Sequence, residues 1–236
     1  LFNPLFLSNL NLLLSQLYRG LIVSCQAPID SPLHHPEIIA AIAQTVVRRG
    51  AVAVRIDSPS HIQAVRQRVQ VPIIGLWKRA YPGTDVYITP QFSDAVAIAA
   101  AGADIIAIDA TNRDRYGGET IAEIVARIHG ELGKPVMADI DTLANARLAA
   151  AAGADIIGTT LYGYTEATQA ATPPGFDLLS AMVQEIDRPI VCEGGISSPQ
   201  QAKQALNLGA DAVVVGTAIT GIDLLTAAYV RQIVNS

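Results

Sequence analysis

The sequence predicts a single α/β domain folded as a (β/α)8 TIM barrel, and three observations predict it. Eight short apolar runs recur along the 236 residues: LIVSC (21–25), AVAVRI (51–56), PIIGLW (72–77), DIIAID (104–109), PVMADI (135–140), DIIGTT (155–160), PIVCEG (189–194) and DAVVVG (211–216). Each is followed by a turn and a helical pattern. Runs that are apolar throughout mark strands buried on both faces, as in parallel sheets covered by helices. A signature also repeats, in AAAGADIIAID (99–109), AAAGADIIGTT (150–160) and NLGADAVVVGT (207–217), with RRGAVAVRI (48–56) a weaker fourth copy. Spacings near fifty residues correspond to two β/α units per copy, and eight units without leftover length favour a closed barrel over an open sheet.

The elements follow in order. Residues 1–19 read as an extra N-terminal helix and residues 20–236 as the barrel. The stretch LFNPLFLSNLNLLLSQLYRG is apolar but has no basic start, and Asn3, Pro4, Ser8, Asn9 and Asn11 interrupt it, unlike a signal peptide. Leu10, Leu13, Leu14 and Leu17 lie at helical spacing, which predicts a short amphipathic helix over one end of the barrel. That the sequence begins at Leu1, not Met, leaves the native N-terminus open. Further on, Ser60-His61-Ile62-Gln63 and Ser198-Pro199-Gln200-Gln201 resemble capping boxes. Gly50, Gly102, Gly153 and Gly209 suit the left-handed residue that closes a helix. Leu178, Leu179, Met182, Val183 and Ile186 form one helical stripe.

Composition excludes several classes. Half the residues are hydrophobic, 16% are charged and the net charge is −5, so no basic surface for nucleic acid or an anionic membrane is expected. No run is long enough to span a bilayer. Cys25 and Cys192 belong to no metal-binding spacing and read as small, reduced core residues of a cytoplasmic protein. The oligomeric state is open, a homo-oligomer being compatible with the sequence.

In a barrel the chemistry sits at the C-terminal strand ends. Polar residues that close apolar runs are therefore the informative ones: Gln26, Arg55, Lys78, Asp109, Asp139 and Glu193. Each alone has a bland reading, a strand meeting solvent; six of both signs around one mouth imply pairing or a ligand. Lys78 follows VPIIGLW directly, and a lysine that is desolvated or set near another cation such as Arg55 can act as a neutral base. Arg55 could equally form a salt bridge with a mouth carboxylate.

Two glycine turns, Glu193-Gly194-Gly195-Ile196-Ser197 and Gly216-Thr217-Ala218-Ile219, follow the seventh and eighth runs. Barrels often bind phosphate at this pair of loops, through close backbone approach and a short helix start. The histidines look unremarkable: His34 and His35 adjoin in a loop, His61 and His129 fall on helix surfaces, and no metal spacing appears. Residues 162–175, YGYTEATQAATPPG, read as a lid or a mobile loop.

From about Gly20 onward the chain resembles the N-acetylmannosamine-6-phosphate 2-epimerase family of bacterial amino-sugar salvage. The motifs carrying the resemblance are LIVSCQ, AVAVRI, VPIIGLWKR, GADIIAIDAT, MADIDT, GADIIGTTLYGYT, CEGGISSP and GADAVVVGTAIT. The resemblance implies a metal-independent, cofactor-free epimerase that moves a proton at C2 of an N-acetylhexosamine 6-phosphate. It implies Lys78 and Glu193 as catalytic residues, Gln26, Arg55 and Asp139 as substrate contacts, and the backbone of Gly195, Gly216 and Thr217 as the phosphate cradle. On the residues alone two other readings stay open: a Schiff-base phosphosugar aldolase or lyase with Lys78 as nucleophile, and a non-catalytic phosphosugar-binding barrel.

Overall fold

The computed structural model describes residues 4–234. Eight parallel strands close a barrel in chain order: β1 (Gly20–Cys25), β2 (Ala53–Asp57), β3 (Ile73–Leu76), β4 (Ile105–Asp109), β5 (Val136–Asp139), β6 (Ile156–Gly158), β7 (Ile190–Cys192) and β8 (Ala212–Val215). Each falls within, or one residue beyond, one of the eight apolar runs. The helices are α1 (Pro4–Leu17), α2 (Pro36–Arg48), α3 (Pro59–Arg66), α4 (Phe92–Ala100), α5 (Ile121–Arg127), α6 (Leu143–Ala151), α7 (Phe176–Glu185), α8 (Pro199–Asn207), α9 (Thr217–Thr220) and α10 (Ile222–Val234).

The strands bury two faces and so feed two cores. One lies between strands and helices and includes Val54, Ile56, Ile73, Ile106, Ala138, Ile157, Cys192 and Val213. The other fills the barrel with Ile22, Ala53, Ile74, Leu76, Ile105, Ala107, Met137, Ile156, Val191, Ala212 and Val214. Side chains alternate faces along a strand, which makes each apolar run two interleaved core sets. Gly50, Gly102, Gly153 and Gly209 have φ of 100°, 105°, 94° and 105°, the helix-closing conformation predicted for the repeat.

The N-terminal helix is present from Pro4, residues 1–3 lying outside the described residues. Leu17 is buried and, with Leu13 and Leu14, packs on the inner core, lining a small cavity with Ile156, Pro189, Val191 and Ala212 near the N-terminal strand ends. The helix therefore stoppers the end opposite the mouth. At the other terminus, α10 buries none of its side chains and exposes Ile222, Leu224, Leu225, Tyr229, Val230, Ile233 and Val234.

Three local expectations are corrected. The helix predicted to start at Ser60 begins at Pro59, with Ser58 at its cap making no side-chain capping bond; proline is preorganised for the first helical position and sets the start. At α8, Ser198 accepts from the Gln201 amide (3.2 Å), but Gln201 turns its side chain to the amide of Ser197 (2.8 Å), so the box is offset by one residue. His61 and His129 are not surface residues: His61 is buried with its ring 4.6 Å from that of His34, and the His129 side chain is tucked against Asp155 at 2.7 Å. Both cysteines are buried and unpaired, in β1 and β7.

Candidate active site

The inner face of the barrel continues upward into the mouth with the same two-residue period. From Ile22 it reaches Ser24 and Gln26; from Ala53, Arg55; from Leu76, Lys78; from Ala107, Asp109; from Met137, Asp139; from Ile156, Gly158 and Thr160; from Val191, Glu193; from Val214, Gly216. Strand periodicity thus aims the expected residues at one space and adds Thr160, which the expectation lacked. Counting by two from Ile156 is the signal that would have found it.

Arg55 is the hub, 1% exposed. Its Nη1 and Nη2 donate to Asp139 Oδ1 and Oδ2 at 3.0 and 2.5 Å, and Nη1 also lies 3.0 Å from Glu193 Oε2. The salt-bridge reading of Arg55 is therefore realised, with two carboxylates at once. Such a buried pair is tolerable only when both partners are bonded this closely; burial alone would lower the arginine pKa, and the two carboxylates more than offset it, holding the pKa above its ordinary value. Gly158 leaves room for the cluster, since a Cβ there would lie 2.6 Å from Met137 Cε and 3.5 Å from Asp139 Oδ1.

Thr160 Oγ1 is 2.7 Å from Asp139 Oδ1 and 3.1 Å from Glu193 Oε2. Beside it, Thr159 Oγ1 donates to the Glu193 carbonyl (2.8 Å) and accepts from its amide (3.0 Å), clamping the β7 end to the β6 end. Burial pushes the Glu193 carboxyl up to about 7; Asp139 adds to this, while Arg55, Lys78 and, where its single hydrogen is donated to Glu193, the Thr160 hydroxyl oppose it.

Lys78 lies beyond β3, on a feature the sequence did not announce. Residues 77–89 double back, with Lys78 bridging Ile88 antiparallel, the Arg79 amide donating to the Tyr87 carbonyl (2.9 Å) and Thr89 to Trp77 (2.8 Å). The Lys78 amide donates to Asp57 Oδ1 at 2.9 Å, and its ammonium donates to Gln26 Oε1, whose amide nitrogen is held by Ser24 Oγ at 2.7 Å. Lys78 keeps contact with solvent, yet the strand ends around it displace enough water to lower its pKa. Arg55 lowers it further, against the pull of Asp57, Glu193 and Asp139. Tyr87, half-buried on the inner core, has its hydroxyl pushed to about 12 by burial and by the carboxylates of Asp139 and Asp109.

Asp109 reaches the mouth but pairs with Arg113 (2.6 Å) and Thr111 (2.7 Å), a second ion pair beside the first. The glycine turns sit on the adjacent strands β7 and β8. Gly194 and Gly195 have φ of 98° and 70°, and a Cβ on Gly195 would lie 2.4 Å from Pro173 Cβ. Gly216 caps α9, whose first amides have no intrahelical acceptor, and Thr220 Oγ1 ties α9 to the Ser24 carbonyl at 2.8 Å. The 162–175 segment is tied down at several points: Thr165 Oγ1 donates to buried Asp141 (2.6 Å), the Gly163 amide donates to Thr168 Oγ1 (2.9 Å), and Gly175 packs on Tyr162. Among the described residues no three His, Cys, Asp or Glu side chains form a metal-type cluster, and no helix is long and apolar enough to cross a membrane.

A (β/α)8 barrel whose mouth gathers a pKa-lowered lysine and a buried arginine–dicarboxylate cluster has the architecture of a barrel enzyme. The chain's residues 39–235 match the family model described as "Putative N-acetylmannosamine-6-phosphate epimerase". It is 63% identical over 222 residues to a putative N-acetylmannosamine-6-phosphate 2-epimerase of Synechococcus elongatus, covering 93% of this chain and 96% of that one. A protein of the same description from Thermosynechococcus vestitus is 64% identical over 221 residues, covering 94% and 96%. The solved N-acetylmannosamine-6-phosphate 2-epimerase of Clostridium perfringens superposes with a TM-score of 0.89 at 36% identity, over 93% of this chain and 95% of that one. The chain belongs to the N-acetylmannosamine-6-phosphate epimerase family. Similarity to 3-hexulose-6-phosphate synthase of Salmonella typhimurium, at 22% identity and a TM-score of 0.61, is one of fold alone.

Proposed function

We propose that this chain is an isomerase that interconverts N-acetyl-D-mannosamine 6-phosphate and N-acetyl-D-glucosamine 6-phosphate in amino-sugar catabolism. The observation that carries this reading is the convergence of Lys78 and Glu193 on one mouth with Arg55 between two carboxyls. Inverting C2 requires removal of the proton α to the C1 aldehyde of the open-chain sugar, stabilisation of the resulting enolate, and return of a proton to the other face. A lysine of lowered pKa supplies the base, and the same group returns the proton once the intermediate turns. Glu193, with a pKa near neutrality, serves ring opening or proton exchange. Gln26 orients Lys78, while Arg55 and Asp139 hold the carbonyl and hydroxyls.

We assign the phosphate to the backbone of Gly195, Gly216 and Thr217, on the strength of the adjacent glycine turns and the α9 start. Gly195→Ala is then expected to displace Pro173 and to raise KM for the phosphosugar by about tenfold, a 1.4 kcal/mol effect, with a smaller change in kcat. Steady-state kinetics checks this, and an unaltered KM would remove Gly195 from the cradle.

Product formed in D2O is expected to carry deuterium at C2, read by NMR; full retention of the C2 hydrogen would sink the proton-transfer mechanism. Borohydride trapping of a substrate adduct on Lys78 would instead favour the Schiff-base reading. Turnover is metal-independent in this proposal, because Asp139 and Glu193 are engaged by Arg55 and Thr160. Full activity after dialysis against a chelator is the expected result. The buried free cysteines support a cytoplasmic location.

A further inference from the structure

Four polar atoms form a closed ring in the mouth. Arg55 Nη1 is 3.0 Å from Asp139 Oδ1 and 3.0 Å from Glu193 Oε2. Thr160 Oγ1 closes the ring, 2.7 Å from Asp139 Oδ1 and 3.1 Å from Glu193 Oε2. A threonine hydroxyl carries one hydrogen and two lone pairs. It can donate fully to only one of two carboxylates, so the second contact is favourable only if that carboxyl itself carries a proton and donates to the threonine.

We propose that Thr160 is a positioning residue that decides which carboxyl of the Asp139–Glu193 pair holds the shared proton: it donates to Asp139 and accepts from Glu193, keeping Glu193 as the acid. This rests on the reading of the mouth as a proton-transfer site. The distances assign the direction, the contact to Asp139 being the shorter. So does the supply of donors: Asp139 has both guanidinium nitrogens of Arg55 and is wholly buried, whereas Glu193 has only the shared Nη1. The charged groups facing Glu193 are Arg55 from β2, Lys78 beyond β3 and Asp139 from β5. The two cations favour its ionised form, while Asp139 and burial favour the neutral one. A donor bond from Thr160 would join the cations; an acceptor bond joins burial and Asp139. The threonine is held for this role, because the next residue, Leu161, donates its amide to the Ile140 carbonyl at 3.0 Å.

The test is carboxyl 13C NMR titration of the full chain, wild type against Thr160→Val and Thr160→Ser, with Glu193→Gln and Asp139→Asn spectra for assignment. In the wild type Glu193 is expected to take up its proton near neutral pH, above the usual carboxylate range. Thr160→Val removes the acceptor and is expected to move the Glu193 midpoint down by about one pH unit. It should also lower kcat by roughly tenfold with little change in KM, and Thr160→Ser should restore both. An unchanged or upward-shifted Glu193 midpoint in Thr160→Val overturns the proposal. Should that variant not fold, the wild-type titration decides, and a Glu193 carboxyl that stays ionised down to the usual carboxylate range overturns it. Absence of epimerase activity in the wild type would count against the functional reading and leave the titration result standing.

Discussion

Replacing Lys78 with alanine is expected to lower kcat by about 10^3-fold, within the range that a positioned acid or base contributes, while the phosphosugar still binds. The physical reason is the way Lys78 is held. Its backbone amide is anchored by Asp57 and bridged to Ile88, so the fold at the end of β3 does not depend on the side chain. The side chain lies over the mouth, where burial and Arg55 lower its pKa and so enlarge the neutral fraction near neutral pH. The sign follows: protonation disables the base, so activity falls on the acid side of the profile. Stopped assays with the 6-phosphate, together with binding measured by calorimetry, separate the two effects. A variant that loses binding and turnover in parallel would make Lys78 a binding residue, and one that retains turnover would remove it from the chemistry.

Arg55→Met is expected to lower stability by about 3–5 kcal/mol, the cost of stranding buried charges, and the melting temperature by roughly 10 °C for a chain of this size. The side chain is buried and joins two carboxyls that no other guanidinium among the described residues pairs with. The loss should depend on pH. Without the arginine, both carboxyls resist ionisation in the folded state, and a carboxyl whose folded pKa is raised contributes stability below its unfolded pKa that is lost as pH rises. Glu193, already near 7 with Arg55 present, places the window. The deficit is therefore expected to be larger at about pH 8 than at about pH 5. Denaturant melts at the two pH values check this; an equal deficit at both would show that lost packing, not unpaired charge, accounts for the cost.

Much of this site was legible because barrel strands impose a two-residue period. Arg55, Asp139 and Glu193 stand two residues above inner-core positions, and Lys78 is two beyond Leu76. Thr160 obeys the same count but was hidden in DIIGTT, where a threonine reads as an ordinary strand residue. The doubling-back of residues 77–89 was illegible because its pairing is a single antiparallel bridge without an apolar run. His61 read as a surface residue because the partner that covers it, His34, comes from another β/α connection.

Local period and chain direction were enough to give the barrel, the order of its strands, the helix-closing glycines and most of the residues that rise into the mouth. Which of these side chains meet was settled by closure of the barrel. Arg55 on β2 binds Asp139 on β5 and Glu193 beyond β7, strands that are not neighbours of β2 in the closed sheet. Such pairings are set by closure and by the reach of side chains across the barrel, quantities that no local pattern encodes. The same closure turns Thr160 from a strand residue into the fourth member of a ring of polar atoms.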